Sequence, residues 1–456
     1  MHEQTKDLED KSPLARTISS ETLTPEQALH LLRARGVRYL RLVFTDIFGT
    51  VRGVEVTRAQ FGKALEGRIL FDGSAMDADF RVEESDMLLR PDLHSLRVLP
   101  WEREVANVIC AVYRPDGGRF EGDPRASLER AVASLAALGY EARVGADLEF
   151  FLFRKDAHGN PLLAPHDRGG YYELGPGDQG AVVRREVMDA VEALGLEVRS
   201  ALHEVAAGQH RIELVPLPAL RMADALAGLR ATVRMVAERH GLHASFMPKP
   251  LPGLNGSGLH LHHSLWKDGI NCFFDEEARD ELSATLRAYV GGLLHHARAY
   301  CAVTNPLVNS YKRLVPGHEA PVNVAWSLHN RSPMIRIPME RGEDTRCEVR
   351  IADASANPYL ALAVQIATGA QGLREEMDPG EPINKSLWTL TPREKQRLRI
   401  KELPRHLGEA LDELEHDRVT RAALGEYIYS RFTHAKREEW LDYLAHVHPW
   451  EVERYL

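Results

Sequence analysis

Residues 144–153 read VGADLEFFLF. On a strand, Asp147 and Glu149 share one face, while Leu148, Phe150 and Leu152 take the other. The apolar face is suited to a helix layer. Two carboxylates side by side next to such a flank are costly unless they are paired or bound to cations. The stretch therefore sets two expectations: a sheet covered by helices, and a sheet face that holds positive charge.

Working outward, the segments on either side give a sheet-and-helix pattern. DPRASLERAVASLAALG (123–139) is an amphipathic helix closed by Gly139. A loop rich in Gly, Pro and Asp spans 154–182, followed by a helix near 183–194. Strands are expected near 196–205, 210–215, 243–247, 258–266, 322–328, 333–338 and 345–351, and long helices over 219–240, 275–303 and 357–372. From about residue 390 the chain reads as helical throughout. This is a large α+β domain with a mainly antiparallel sheet. Before it, Thr24-Pro25-Glu26 signals a helix start, VRYLRLVFTD and TVRGVEV read as paired strands, and PDGG at 115–118 is a strong turn. The reading divides the chain into a mobile N-terminal arm (1–24), a small first domain (25–118) and a large second domain (119–456).

Composition fixes the broad class. The 456 residues carry a formal net charge of −9, with the apolar and charged fractions of a globular protein. No basic stripe marks a nucleic-acid binder. Four cysteines, at 110, 272, 301 and 347, show no metal or disulfide spacing. No run reaches the ~20 apolar residues of a membrane helix, and the N-terminus lacks a secretory apolar core. The expectation is a cytoplasmic enzyme with neither nucleic acid nor membrane as a partner.

The segment Asn309–Arg350 carries the densest chemistry. Arginines recur at 313, 331, 336, 346 and 350, with Glu319 and Glu348 among them. Guanidinium forks grip carboxylate and phosphate oxygens. Arg346, Glu348 and Arg350 alternate, so a strand presents cation, anion and cation to one side; the competing reading is a solvated face with surface ion pairs. His203 and Glu204 lie in LHEVAAGQH, and His260 and His262 alternate after the glycine-rich turn Asn255-Gly256-Ser257-Gly258. Oxygen donors with one or two histidines suit Mg2+ or Mn2+. The turn is neither a Walker A motif nor a dinucleotide fingerprint. The chemistry that fits is phosphoryl transfer to an anionic acceptor.

From about residue 28 to 456 the chain resembles bacterial type I glutamine synthetases, of the shorter α-type. The pieces that carry the resemblance are FTDIFGTVRGVEV, FDGSAMDADFRVEESDMLLRPD, LEFFLF, RGGYY, HEVAAGQH, SFMPKP, NGSGLHLHHSL, NSYKRLVPGHEAP, NRS, RIP, EVR and NPYLALA, in that order. The resemblance implies an α+β protein: a small β-grasp-like N-terminal domain, and a catalytic domain built on a curved antiparallel sheet flanked by helices. It implies stacked hexameric rings whose active sites are shared between neighbouring subunits. It also implies an ATP-dependent glutamate–ammonia ligase working through γ-glutamyl phosphate.

Residue by residue, the resemblance places Asp147, Glu149, Glu204, His260 and Glu348 as metal ligands. Glu149 and Glu204 belong to the ion facing glutamate; Asp147, His260 and Glu348 belong to the ion facing the ATP phosphates. Asn255, Gly256, Arg313 and Arg350 hold glutamate. Arg331, Arg336 and Arg346 surround the phosphates, with His262 and Ser264 near the nucleotide. Glu319 is the flap carboxylate that takes a proton from ammonium. Asp46 of a neighbouring subunit and Tyr171 join Glu204 at the ammonium site.

Three departures stand out. Asp147 replaces the family's usual Glu. Trp388, in NKSLW, stands where the family's adenylylated tyrosine falls, so that covalent control is not expected. Arg211 takes the position of a third metal-binding carboxylate, and a guanidinium cannot ligate a cation. Glu213 is a substitute only if its strand slips or bulges. Three readings follow for Arg211: its charge stands in for a missing ion and the ligase uses fewer metals; the acceptor is a different amine such as ethanolamine, a nearby cation weighing against polyamines; or the chain is a non-catalytic regulatory relative.

Overall fold

The computed structural model describes residues 23–76, 86–387 and 389–456. Most of the N-terminal arm, the centre of the 71–92 motif and Trp388 lie outside the described residues.

The first unit comprises the described residues through Phe44, those within Val51–Phe120, and Arg185–Val198. Its opening helix, Pro25–Ala34, starts where the sequence signals it: Thr24 accepts from the Gln27 amide at 3.2 Å, and Gln27 Oε1 accepts from the Thr24 amide at 2.7 Å. The strands are β1 (Tyr39–Thr45), β2 (Val51–Thr57), β3 (Ile69–Asp72), β4 (Asp86–Pro91), β5 (Arg97–Leu99) and β6 (Glu102–Tyr113). They form a sheet in the order β2-β1-β6-β4-β3, with β5 also on β6. The β1–β6 pairing is parallel, whereas β4–β6 and β3–β4 are antiparallel.

The second unit comprises Thr45–Thr50, Glu121–Arg184 and Arg199–Leu456. Its centre is β7 (Glu141–Lys155), which contains the stretch that opened the sequence analysis. Around it lie β8 (Pro161–Pro165), β9 (Val198–His203), β10 (Gln209–Pro218), β11 (Leu242–Ser245), β12 (Leu259–Lys267) and β13 (Ile270–Asn271). The short strands β14 (Asn323–Val324), β15 (Trp326–Ser327), β16 (Ile335–Arg336), β17 (Cys347–Val349) and β18 (Lys401–Glu402) follow. The main path runs β15-β16-β17-β12-β7-β10-β9; it is antiparallel from β16 to β10, and β15–β16 is parallel. Leu148, Phe150 and Leu152 are fully buried, and helices Pro124–Ala136 and Ala219–Arg239 pack on β7.

Three segments depart from the sequence reading. The loop over 154–182 contains β8, which returns along the edge of β7. The helix expected over 275–303 is two helices, Ala284–His295 and Ala297–Thr304. Asp280 and Glu281 take φ of 61° and 57°, which no helix continues through, and Ser283 then caps a fresh start. The C-terminal run is helical but interrupted by β18, which pairs with β14.

Candidate active site

Strand register assembles the site. On β7, Glu149 faces Arg211 of β10, while Asp147 lies between Glu213 of β10 and His260 of β12. His262 faces Glu348 of β17, which faces Arg336 of β16. Register across five neighbouring strands thus brings the acids, imidazoles and guanidiniums to one face of the sheet.

Their side chains line a cleft with two adjoining lobes. The larger, about 240 Å3, is lined by Asp147, His260, His262, Glu348 and the arginines at 211, 331, 336, 346 and 350. The smaller, about 20 Å3, is lined by Glu149, Glu204, Asn255, Gly256, Arg313 and Glu319. Arg211, His260 and Arg350 belong to both walls. Glu348 and Arg350 are buried, so the alternating strand is no solvated face.

Glu348 is gripped by Arg336 at 2.8 Å and Arg350 at 3.1 Å, with His260 Nδ1 3.5 Å away. Burial opposes its ionisation, but Arg350, His262, His260 and Arg336 outweigh burial and hold its carboxyl far below the usual range. Burial likewise opposes the Asp147 charge. His262, 3.1 Å from Asp147, together with His260 and Arg211, holds that carboxyl low. Burial pushes the His260 imidazole toward its neutral form, the form that ligates metals, and Nδ1 of His260 has no hydrogen-bond partner. Donor atoms of Asp147, His260 and Glu348 all lie within 4.8 Å of one another. Two carboxylates and an imidazole whose Nδ1 makes no hydrogen bond fit a hard divalent cation.

The smaller lobe is tied together by backbone and amides. Glu149 accepts from the Gly258 amide at 2.7 Å, and Gln209 Nε2 donates to the Gly256 carbonyl at 3.0 Å. Arg313 is buried and donates to the carbonyls of Ile351 at 3.1 Å and Arg350 at 3.3 Å. A Cβ at Gly256 would drive into the Pro248 carbonyl, which is why the turn needs glycine there. Burial, then Glu149, push the Glu204 carboxyl up to about 7 against the opposing pull of Arg211.

Arg211, the departure marked in the sequence, stands among the acids. Its Nη2 lies 2.9 Å from Glu149 and 2.5 Å from Glu204, and its Nη1 lies 3.6 Å from Asp147 and 3.7 Å from Glu213. The strand neither slips nor bulges to bring Glu213 into its place; the only register shift on this ladder falls between Leu214 and Leu217.

Not every expected residue lines the cleft. Tyr171 is at its edge, accepting from Arg331 at 3.2 Å. Ser264 lines neither lobe: its hydroxyl donates to the Arg143 carbonyl and accepts from Trp266 Nε1. Asp46 also lines neither lobe; its carboxylate accepts the amides of Phe48 at 3.0 Å and Thr50 at 2.8 Å, and Asn357 donates to its carbonyl.

Sequence reasoning missed a buried network behind Glu204. His203 faces Asp167 at 3.0 Å and the Glu204 carbonyl at 2.7 Å. Arg184 grips both oxygens of Asp178, at 2.8 and 2.5 Å, and sits 2.8 Å from His210 Nδ1. Asp167, Asp178, His203 and His210 cluster as closely as metal ligands do, but a guanidinium already fills that cluster. The double-histidine spacing of HEVAAGQH was its only sequence signal, because Asp167 and Asp178 arrive from the distant loop.

The family model for "Glutamine synthetase, catalytic domain" matches residues 121–455, and that for "Glutamine synthetase, beta-Grasp domain" matches 36–115. The chain belongs to the glutamine synthetase family. It is 50% identical to the glutamine synthetase of Thermus thermophilus over 440 residues, covering 95% of this chain and 99% of that protein. It is 45% identical to that of Clostridium saccharobutylicum over 436 residues, covering 95% and 98%. Among solved structures it matches "GmaS/ADP complex-Conformation 1" with a TM-score of 0.84 and 33% identity, over 94% of this chain and 99% of that one. The glutamine synthetase fold accounts for both units: a β-grasp sheet ahead of a catalytic sheet flanked by helices. Among the described residues, no helix is long and apolar enough to cross a membrane.

Proposed function

We propose that this chain is an ATP-dependent glutamate–ammonia ligase that transfers the γ-phosphoryl group of ATP to the side-chain carboxylate of glutamate and then exchanges phosphate for ammonia. The observation that carries the reading is the two-lobed cleft, with acid and imidazole groups at its waist and guanidiniums on both sides. A carboxylate is a poor electrophile; turning it into an acyl phosphate provides a leaving group.

In this reading Arg313, Arg350, Asn255 and Gly256 hold glutamate in the smaller lobe. Arg331, Arg336 and Arg346 hold phosphate oxygens in the larger one, where fixed cations stabilise the charge of the transferring group. His262 lies beside the nucleotide; Ser264, occupied by Arg143 and Trp266, supports the strand instead. Asp147, His260 and Glu348 would hold Mg2+ or Mn2+, which would supply positive charge to offset that of the phosphates. Glu204 and Tyr171 receive ammonium, and Glu319 accepts its proton. Asp46 completes that site from a neighbouring subunit in a ring assembly, in keeping with its absence from the cleft of its own chain. Support for the nucleotide comes from the related GmaS structure, solved as an ADP complex.

The test is direct. Purified protein with ATP, Mg2+ and glutamate should release phosphate and form glutamine only when ammonium is added. Turnover with ethanolamine or another amine but not ammonium reassigns the acceptor. Nucleotide binding without turnover on any amine overturns the reading.

A further inference from the structure

We infer that the guanidinium of Arg211 is a built-in cation that takes the place of an inorganic ion between Glu149 and Glu204, leaving one protein-held divalent-ion position, at Asp147, His260 and Glu348. This concerns the cleft of the ligase proposed above, and rests on that reading only for what the cleft does.

The two halves of the site differ in fit. At Asp147, His260 and Glu348, donor atoms converge, His260 Nδ1 makes no hydrogen bond, and Arg336 and Arg350 pair with Glu348 alone rather than bridging two of the donors. Between Glu149 and Glu204 the space is already held by a positive group. Arg211 Nη2 is 2.9 Å from Glu149 Oε1 and 2.5 Å from Glu204 Oε1. A divalent ion bound to those oxygens would sit at about 2.0–2.6 Å from them, inside the volume the guanidinium fills. The repulsion is not relieved by deprotonation, because arginine stays charged at any pH a protein survives. Asp147 and Glu213, on the other side of Arg211, make that charge still more secure.

The register fixes Arg211 there. It stands directly opposite Glu149 across the β7–β10 ladder, and the carboxylates of Glu149, Glu204, Asp147 and Glu213 surround its guanidinium. Glu213 does not compete for it, since its carboxylate already accepts from Ser200 at 2.7 Å. Glu204 Oε1 meets Nη2 as an ion pair without hydrogen-bond geometry, and Arg211 Nε makes no hydrogen bond, so toward Glu204 the guanidinium acts as a counter-charge.

The test is ion counting without nucleotide. Protein is titrated with Mn2+ and free Mn2+ is read by electron paramagnetic resonance. Wild type should show one tight equivalent per chain, lost in His260→Ala. Arg211→Glu should show two. Two tight equivalents in wild type, or only one in a folded Arg211→Glu, overturn the assignment. Should Arg211→Glu not fold, wild-type crystals in Mn2+ decide alone: an anomalous peak bonded to both Glu149 and Glu204 overturns it, and a peak solely at Asp147, His260 and Glu348 upholds it. Glutamine formation is assayed in parallel. Glutamine with two ions sinks this inference alone; one ion without glutamine sinks the ligase reading alone.

Discussion

Asn255 and Glu319 meet over the smaller lobe: Asn255 Nδ2 donates to Glu319 Oε2 at 3.2 Å, while Glu319 holds a left-handed backbone with φ of 55°. A non-glycine residue in that region carries about 1–3 kcal/mol of strain, and such strain persists where neighbours fix the geometry. Under the proposed chemistry the strained residue is the proton acceptor. Glu319→Gln should lower kcat by about 10²-fold or more, as loss of a general base does, with the KM for ATP changed little. Glu319→Gly should lower activity as far while leaving the melting temperature equal or higher, since glycine adopts this φ freely. Steady-state kinetics and calorimetry on the two variants check both; a Gln variant with wild-type kcat removes Glu319 from the mechanism.

Divalent cation should stabilise the protein through Asp147, His260 and Glu348. A ligand at 100 times its Kd adds about 2.7 kcal/mol to a native state that alone binds it. Saturating Mn2+ should therefore raise the melting temperature of wild type, and the rise should vanish in His260→Ala. An undiminished rise in that variant moves the ion elsewhere.

Much of this was legible in the chain because β-strands turn spacing into geometry. The two-residue spacings of Asp147 with Glu149, His260 with His262, and Glu348 with Arg350 each predicted a shared face; strand register puts the first two pairs on one, and Glu348 and Arg350 line the same lobe. What alternation cannot give is which strands are neighbours and in what register. Arg211 could be read as a misfit, but that it stands opposite Glu149 and reaches Glu204 emerges only from the β7–β10 ladder. The helix read over 275–303 failed for a local reason: an apolar periodicity that begins at Ala284 does not reveal left-handed residues at 280 and 281 just before it. Ser264 shares a strand with His262 and alternates correctly, yet Arg143 and Trp266 claim its hydroxyl.

A second buried charge cluster holds the helix layer. Arg125 grips Asp224 through two donors, at 3.1 and 3.2 Å, and the Tyr359 hydroxyl donates to the same carboxylate at 2.8 Å. Asp224 and Arg125 are both nearly inaccessible. Asp224→Ala leaves the Tyr359 hydroxyl without this acceptor and Arg125 with Glu129, 3.0 Å away, as a remaining carboxylate, and should cost about 1–3 kcal/mol, read as a lowered denaturation midpoint. A loss below about 1 kcal/mol would mean that solvent or a shifted side chain replaces the carboxylate.

Asp417 gives the acid side of the stability profile a specific contributor. Its carboxylate accepts from His296 Nδ1 at 2.6 Å and caps the helix Arg418–Leu424 through the Thr420 amide at 2.8 Å. Burial raises its pKa, but the His296 and Thr420 hydrogen bonds outweigh burial and hold it below the ordinary value. A carboxyl whose folded pKa is depressed stabilises the fold above its unfolded pKa, about 3.9, and that stabilisation is lost as pH falls through the folded value. Asp417→Asn keeps a good capping group but removes the charge. At pH 7 it should melt below wild type, and the gap should narrow as pH drops below about 4. Thermal scans from pH 7 to pH 3 measure the gap directly; a gap that stays constant would assign the effect to packing alone.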